Sequence, residues 1–202
     1  MLILMRMFGH LAPAPSETDR RLRRLMPSER LIAWHRARCA FIFDATAKLI
    51  PDGAEALSAL PSPEFMPNFI RQLAESYFAG FYYVDHIPDV RLFFERNGGV
   101  ATLMSLLLPG EPDDAFPPTQ PVSISLSALG RSFGISRVHV RQLLRDCERE
   151  GFLVRTGTDG DGVRVLPRLS EAVRRVLAVY IAHNAHCARA ALAEISYESA
   201  VA

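Results

Sequence analysis

Arg137, Val138, His139, Arg141, Gln142 and Arg145 follow Ser136 in one short run, and their chemistry suits a polyanion better than bond cleavage. An arginine fork bonds two acceptors on guanine, a glutamine amide pairs with adenine, and a valine touches the thymine methyl. Between Arg131 and Arg145 the chain has four arginines and no acidic residue, so this stretch should turn positive potential outward. A solvated face on an ordinary helical hairpin is the plainer account. The neighbouring residues decide between the two.

Other reactive side chains are sparse. His183, His186 and Cys187 share one helix face and can bind zinc if another helix or chain adds ligands. Nothing in the sequence visibly does so, and coincidence on a helix face is the simpler account. Cys39 has His35, Arg36 and Arg38 beside it, which would suit a redox sensor. Burial on an apolar face would make the same thiol inert. No serine-histidine-acid set, phosphate-binding glycine loop or carboxylate pair stands out. The expectation is therefore a protein that is not an enzyme and needs no metal or cofactor.

The arginine run needs a scaffold, and the flanking residues supply one. Ser125 can cap a short helix that ends at Gly134, a residue type that accepts the left-handed conformation of a tight turn. Ile135 plugs the turn and Ser136 caps a second helix. Val140, Leu143, Leu144 and Cys147 recur at helical spacing, which gives that helix one buried stripe and leaves the arginines outside it. Gly151 ends the helix. A strand from Phe152 to Arg155, a loop from Thr156 to Gly162 with two Asp-Gly steps, and a strand from Val163 to Leu166 read as a hairpin. A short strand at Val122 to Ile124 completes a small sheet.

Leu129 to Val140 resembles the DNA-binding domain of the cAMP-receptor-protein family, and Gly151 to Val154 with its Asp/Gly-rich loop is similar to the MarR family. The resemblance covers residues 121–168 and implies a bacterial winged helix-turn-helix transcription regulator. By that likeness Ser136 touches a phosphate, while Arg137, Val138 and Gln142 approach bases. MarR-type wings place an arginine two residues after an aspartate near the tip. Here Asp161 is followed by Gly162, Val163 and only then Arg164. Asp159 and Asp161 would repel phosphates, so Arg155 and Arg164 at the base of the wing are the expected phosphate contacts.

Apolar residues make up 49% of the 202, ample for a core, and the net charge is only +1. Its distribution is uneven: residues 1–60 carry nine bases against six acids, 61–120 three against eight, and 121–168 eight against five. Lys48 is the single lysine among 23 basic residues. Three separated cysteines give no disulfide framework, and no apolar run is long enough to span a bilayer, so a cytoplasmic protein is expected.

The first residues, with Pro13 and Pro15, read as a loose arm. From Arg20 to Arg38 seven arginines meet one glutamate, as a solvated face or an auxiliary phosphate-contacting arm. A helix from Ser28 to Ile50 carries Leu31, Trp34, Cys39, Phe41, Ile42, Ala45 and Leu49 as its apolar face. Residues 64–84 form another, rich in rings. Packing is the commoner use of such rings, and a pocket for a small-molecule effector is the alternative. Val100, Leu103, Met104, Leu107 and Leu108 should pack beneath the helix-turn-helix. The proline-rich stretch 109–121 is a connector. Ser170 caps a last helix from Glu171 to about Ile195.

The expected fold is mainly α with a small antiparallel β-wing, a winged helix-turn-helix flanked by long helices. Residues 1–97 would form a helical region for dimerisation and ligand sensing, 98–168 the DNA-binding domain, and 169–202 a dimerisation helix. The expected function is a homodimeric regulator that reads double-stranded DNA through Ser136, Arg137, Val138, His139, Arg141, Gln142, Arg145, Arg155 and Arg164. The alternative is a winged-helix scaffold for protein contacts.

Overall fold

In the computed structural model the described residues are 2–14, 24–109, 116–156 and 162–201, with side chains described from 5 to 197. The chain is mainly helical with small antiparallel sheets, and it forms two compact units. One is Gly80–Tyr180; the other joins Met1–Ala79 to Ile181–Ala202.

The discontinuous unit begins with α1 (Leu2–Met7), β1 (Leu11–Ala14) and β2 (Arg24–Pro27), then α2 (Glu29–Ala47), α3 (Pro51–Ala59) and α4 (Phe65–Phe78). The expectation of a loose arm is corrected here, because β1 pairs antiparallel with β2, from Leu11 opposite Pro27 to Ala14 opposite Arg24. A two-stranded ribbon is all edge, so prolines at 13 and 27 need not break it. Residues 15–23, including Arg20, Arg21 and Arg23, lie outside the described residues. Ser28 caps α2 by accepting from the Leu31 amide.

The core of this unit is Phe43, Phe65 and Phe69, with Cys39, Met66, Ala188 and Ala191 around them. Phe43 meets Phe69 edge-on at 5.2 Å, and Phe65 stacks on Phe69 at 5.8 Å. The sequence placed Trp34, Phe41 and Leu49 on the buried face of α2, and the structure leaves all three exposed. Cys39 is buried as expected, and Phe43 and Thr46 are buried with it. The helix is apolar on two sides, and periodicity cannot choose between them.

The helix expected over 64–84 stops at Phe78, with Gly80 at φ 95° just beyond. Phe65 and Phe69 are core, Tyr77 and Phe78 face out, and Tyr83 lies 5.6 Å from Tyr180.

The continuous unit holds α5 (Tyr83–His86), a 3-10 turn at Pro88–Val90, α6 (Arg91–Phe94), α7 (Gly99–Leu107), β3 (Val122–Ser123), α8 (Leu126–Phe133), α9 (Arg137–Arg149), β4 (Leu153–Thr156), β5 (Gly162–Val165) and the start of α10 (Pro167–Val201). The sheet runs β3-β5-β4, antiparallel throughout. Val154 is opposite Arg164, and both point outward, while Leu153, Val163 and Val165 point into the core. That core also takes Leu103, Leu106 and Leu107 from α7. Val100, Met104 and Leu108 are exposed, so the buried stripe of α7 is rotated from the one the sequence suggested.

Ser170 does not cap the last helix, which starts at Pro167 and is 35 residues long, about 52 Å at ~1.5 Å per residue. Proline suits the first helical position because its missing amide would be unpaired there anyway. Of the side expected to be sticky, Val173 is buried in one unit and Ala188 and Ala191 in the other, Val176, Tyr180, Leu192 and Ile195 are half-buried, and Leu177 is exposed. No helix among the described residues is long and apolar enough to cross a membrane.

Candidate functional site

The site is built on the α8–α9 pair. Ser125 Oγ accepts from the Ala128 amide and starts α8, and Gly134 (φ 64°, ψ 29°) ends it in the left-handed region. The Ile135 amide donates to the Gly130 carbonyl at 3.0 Å. A Cβ on Gly130 would sit 2.7 Å from the Ile135 oxygen, so only glycine lets the turn close this tightly. Ser136 Oγ then accepts from the His139 amide at 3.1 Å and opens α9.

Val140, Leu143, Leu144 and Cys147 are all buried, at 2% exposure or less. At about 1.5–3 kcal/mol for each large apolar side chain, the stripe outweighs a cap worth about 1 kcal/mol. Packing therefore sets the rotation of α9, and the cap sets where it begins. Burial of Cys147, with the Asp146 charge beside it, pushes its thiol up to about 12, so it behaves as a small apolar residue.

The stripe turns the opposite side outward. Arg137, Val138, Gln142 and Arg145 are exposed, Val138 at 70%, and Arg141 is half-buried. Among the described residues Arg131, Arg137, Arg141, Arg145 and Arg164 make no ion pair or side-chain hydrogen bond. Arg131 and Arg137 line one groove with Ser127, Gly130 and Ile135. The chain matches no model of a known protein family, no curated protein and no solved structure. The site is therefore argued from its own geometry.

Three of the residues singled out in the sequence are engaged inside the chain. His139 is half-buried, and its Nε2 donates to the Asn97 carbonyl at 2.9 Å, which ties α9 to the turn before α7. Gln142 Nε2 donates to Asp146 Oδ1 at 3.0 Å. Arg155 is gripped by Glu148, through Nε at 3.0 Å and Nη2 at 2.9 Å, and its backbone amide donates to the same carboxylate. Arg164 stands exposed on β5. The loop acids Asp159 and Asp161 lie outside the described residues.

Sequence reasoning missed Asp146. Its side chain is only 7% exposed, Arg96 Nη1 reaches its Oδ2 at 2.6 Å, and Arg149 pairs with Oδ1. The i, i+4 and i, i+3 spacing of Gln142, Asp146 and Arg149 was a visible signal. The approach of Arg96 was not, because only the tertiary fold brings it there. Burial alone would raise the Asp146 carboxyl. The Arg96 charge and hydrogen bond, the Gln142 amide and the Arg149 charge outweigh it and hold the carboxyl below the usual aspartate range.

Stability linked to this carboxyl is fully present above its ordinary value of 3.8 and drains away as pH falls through the lower folded value. Asp146→Asn should then melt below wild type by a constant margin from pH 8 to about 5, and the margin should shrink in more acid solution. A margin that does not change with pH would mean the carboxylate charge is not what holds Arg96.

The remaining candidates sit elsewhere. Cys39 is fully buried, and burial pushes its thiol up despite the Arg38 charge, which removes the thiolate a sensor needs. His183 Nε2 is 2.8 Å from Ser76 Oγ and 3.5 Å from Cys187 Sγ, and His186 faces out. No group of three or more metal-ligating side chains gathers among the described residues.

Proposed function

We propose that this chain is a sequence-specific DNA-binding transcriptional regulator that acts as a homodimer in the cytoplasm through a winged helix-turn-helix, with α9 as its reading helix. One observation carries the reading. Arg137, Arg141 and Arg145 stand along one capped helix without an acidic partner among the described residues, while neighbouring Arg96, Arg149 and Arg155 are all paired. An unpaired guanidinium on a rigid helix takes a phosphate or a guanine without first giving up a carboxylate.

The first turns of a helix in the major groove meet base edges. Arg137 is the hydrogen-bonding reader in this reading, Gln142 joins it by giving up Asp146, and Val138 suits a thymine methyl. His139 holds the helix against the Asn97 turn rather than reading a base. Arg164 is open for a phosphate. Arg155 must exchange Glu148 for one, so its contribution is smaller. Two copies related by a two-fold axis would place their reading helices about one DNA turn apart, ~34 Å, on a near-palindromic site.

Gel-shift titration of the purified chain against the DNA upstream of its own coding region tests the reading. The expected result is discrete retardation that weakens steeply with added salt, because the arginines displace condensed cations. No retardation at micromolar protein in low salt would sink it. That outcome would favour the protein-contact scaffold, which the acids at 159 and 161 suit better.

A further inference from the structure

The outer face of α2 is apolar and open. Trp34 is 59% exposed and Phe41 79%, with Ala33, Ala37 and Ala45 exposed beside them, and Leu49, just beyond the end of the helix, is 67% exposed. These side chains leave on the order of 500 Å² per copy in water, so a pair would bury roughly 1,000 Å², about what a specific interface needs. Scattered exposed residues need no explanation. A continuous helix face carrying a tryptophan and a phenylalanine does.

The polar residues on that face indicate what covers it. Arg30, Ala37 and Asp44 follow one another at seven-residue steps along one edge of α2, and Trp34 and Phe41 do the same along its middle. When two such helices lie antiparallel, the same edges meet in opposite order. Arg30 then faces Asp44, Ala37 faces Ala37, and Trp34 of one copy lies against Phe41 of the other. Both rows share a midpoint near Ala37, and the small side chain there lets the axes approach to about 8–10 Å. The opposite charges at the two ends of the row meet in the antiparallel order and favour it. Among the described residues Asp44 pairs with Lys48, an exposed pair, and Arg30 donates to the Phe8 carbonyl, so both can turn to a partner.

We propose that this face of α2 is the docking surface for a second copy of the chain, paired antiparallel about a two-fold axis near Ala37. The assignment rests on the two-copy part of the function proposed above and does not depend on DNA.

Trp34 is the single tryptophan, so its emission reports on the interface directly. Light scattering and fluorescence across a dilution series of the full chain form the test. The wild type should be a dimer with blue-shifted emission that moves to the red on dilution. Phe41→Glu should be a monomer with red-shifted emission at every concentration and an unchanged far-ultraviolet dichroism spectrum. Arg30→Asp or Asp44→Arg alone should weaken the dimer at least tenfold, and the two together should restore most of it. A monomeric wild type overturns the proposal. So does a dimer that survives both Phe41→Glu and the single charge reversals, which would leave the two-copy reading standing on another surface. Gel retardation is scored separately, so failure of the DNA reading remains distinguishable.

Discussion

Replacing Arg137, Arg141 and Arg145 together with alanine should lower affinity for the cognate DNA at least a hundredfold and flatten its salt dependence. A base-reading arginine is worth about 1–3 kcal/mol on the right site, and each phosphate-directed arginine adds to affinity on any site. Each phosphate-directed cation removed also takes about 0.9 from the slope of log affinity against log salt, so loss of Arg141 and Arg145 should lower it by about 1.8. The fold should survive, because α9 is held by Val140, Leu143, Leu144 and Cys147, which the substitutions do not touch. Arg175→Ala is the control: it removes an exposed charge already paired with Glu171 and should change little. Anisotropy titrations at several salt concentrations read both quantities. An unchanged slope in the triple variant would mean that these side chains do not meet phosphate.

The second large effect concerns stability. Phe43→Ala should cost about 3–5 kcal/mol, a large share of the 5–15 kcal/mol typical of a folded protein. Phe43 is 1% exposed and meets both Phe65 and Phe69, so truncation leaves a cavity and removes two edge-on ring contacts. Phe41→Ala, two residues along the same helix, should cost within about 0.5 kcal/mol in the monomer, because the ring is already in water. Urea denaturation at a protein concentration too low for association measures both. A larger loss at Phe41 than at Phe43 would mean that the inner and outer faces of α2 have been exchanged.

These two phenylalanines also mark where the sequence stops being informative. Local rules located what depends on local geometry: the left-handed Gly134, the capping serines at 125 and 136, the stripe from Val140 to Cys147, and the hairpin after Gly151. Each is set by a few adjacent residues, and the structure has them where the sequence places them. Choices made by the rest of the fold were not legible. Periodicity identified α2 as a helix but could not say which of its two apolar sides is buried. The start of α10 carried two competing signals, and the proline at 167 prevailed over the serine at 170. Asp146 went unread because Arg96 reaches it only through the tertiary fold. The contact of His139 with the Asn97 carbonyl also comes from the tertiary fold and from no local signal.

Selection of bound sequences from a random DNA pool tests the central claim most directly. The wild type should enrich a near-palindromic motif whose half-sites are about one helical turn apart. The triple arginine variant, carried through the same rounds, should enrich nothing. A pool that stays random with the wild type, or the same motif recovered with the variant, would contradict the assignment of α9 as the element that reads DNA.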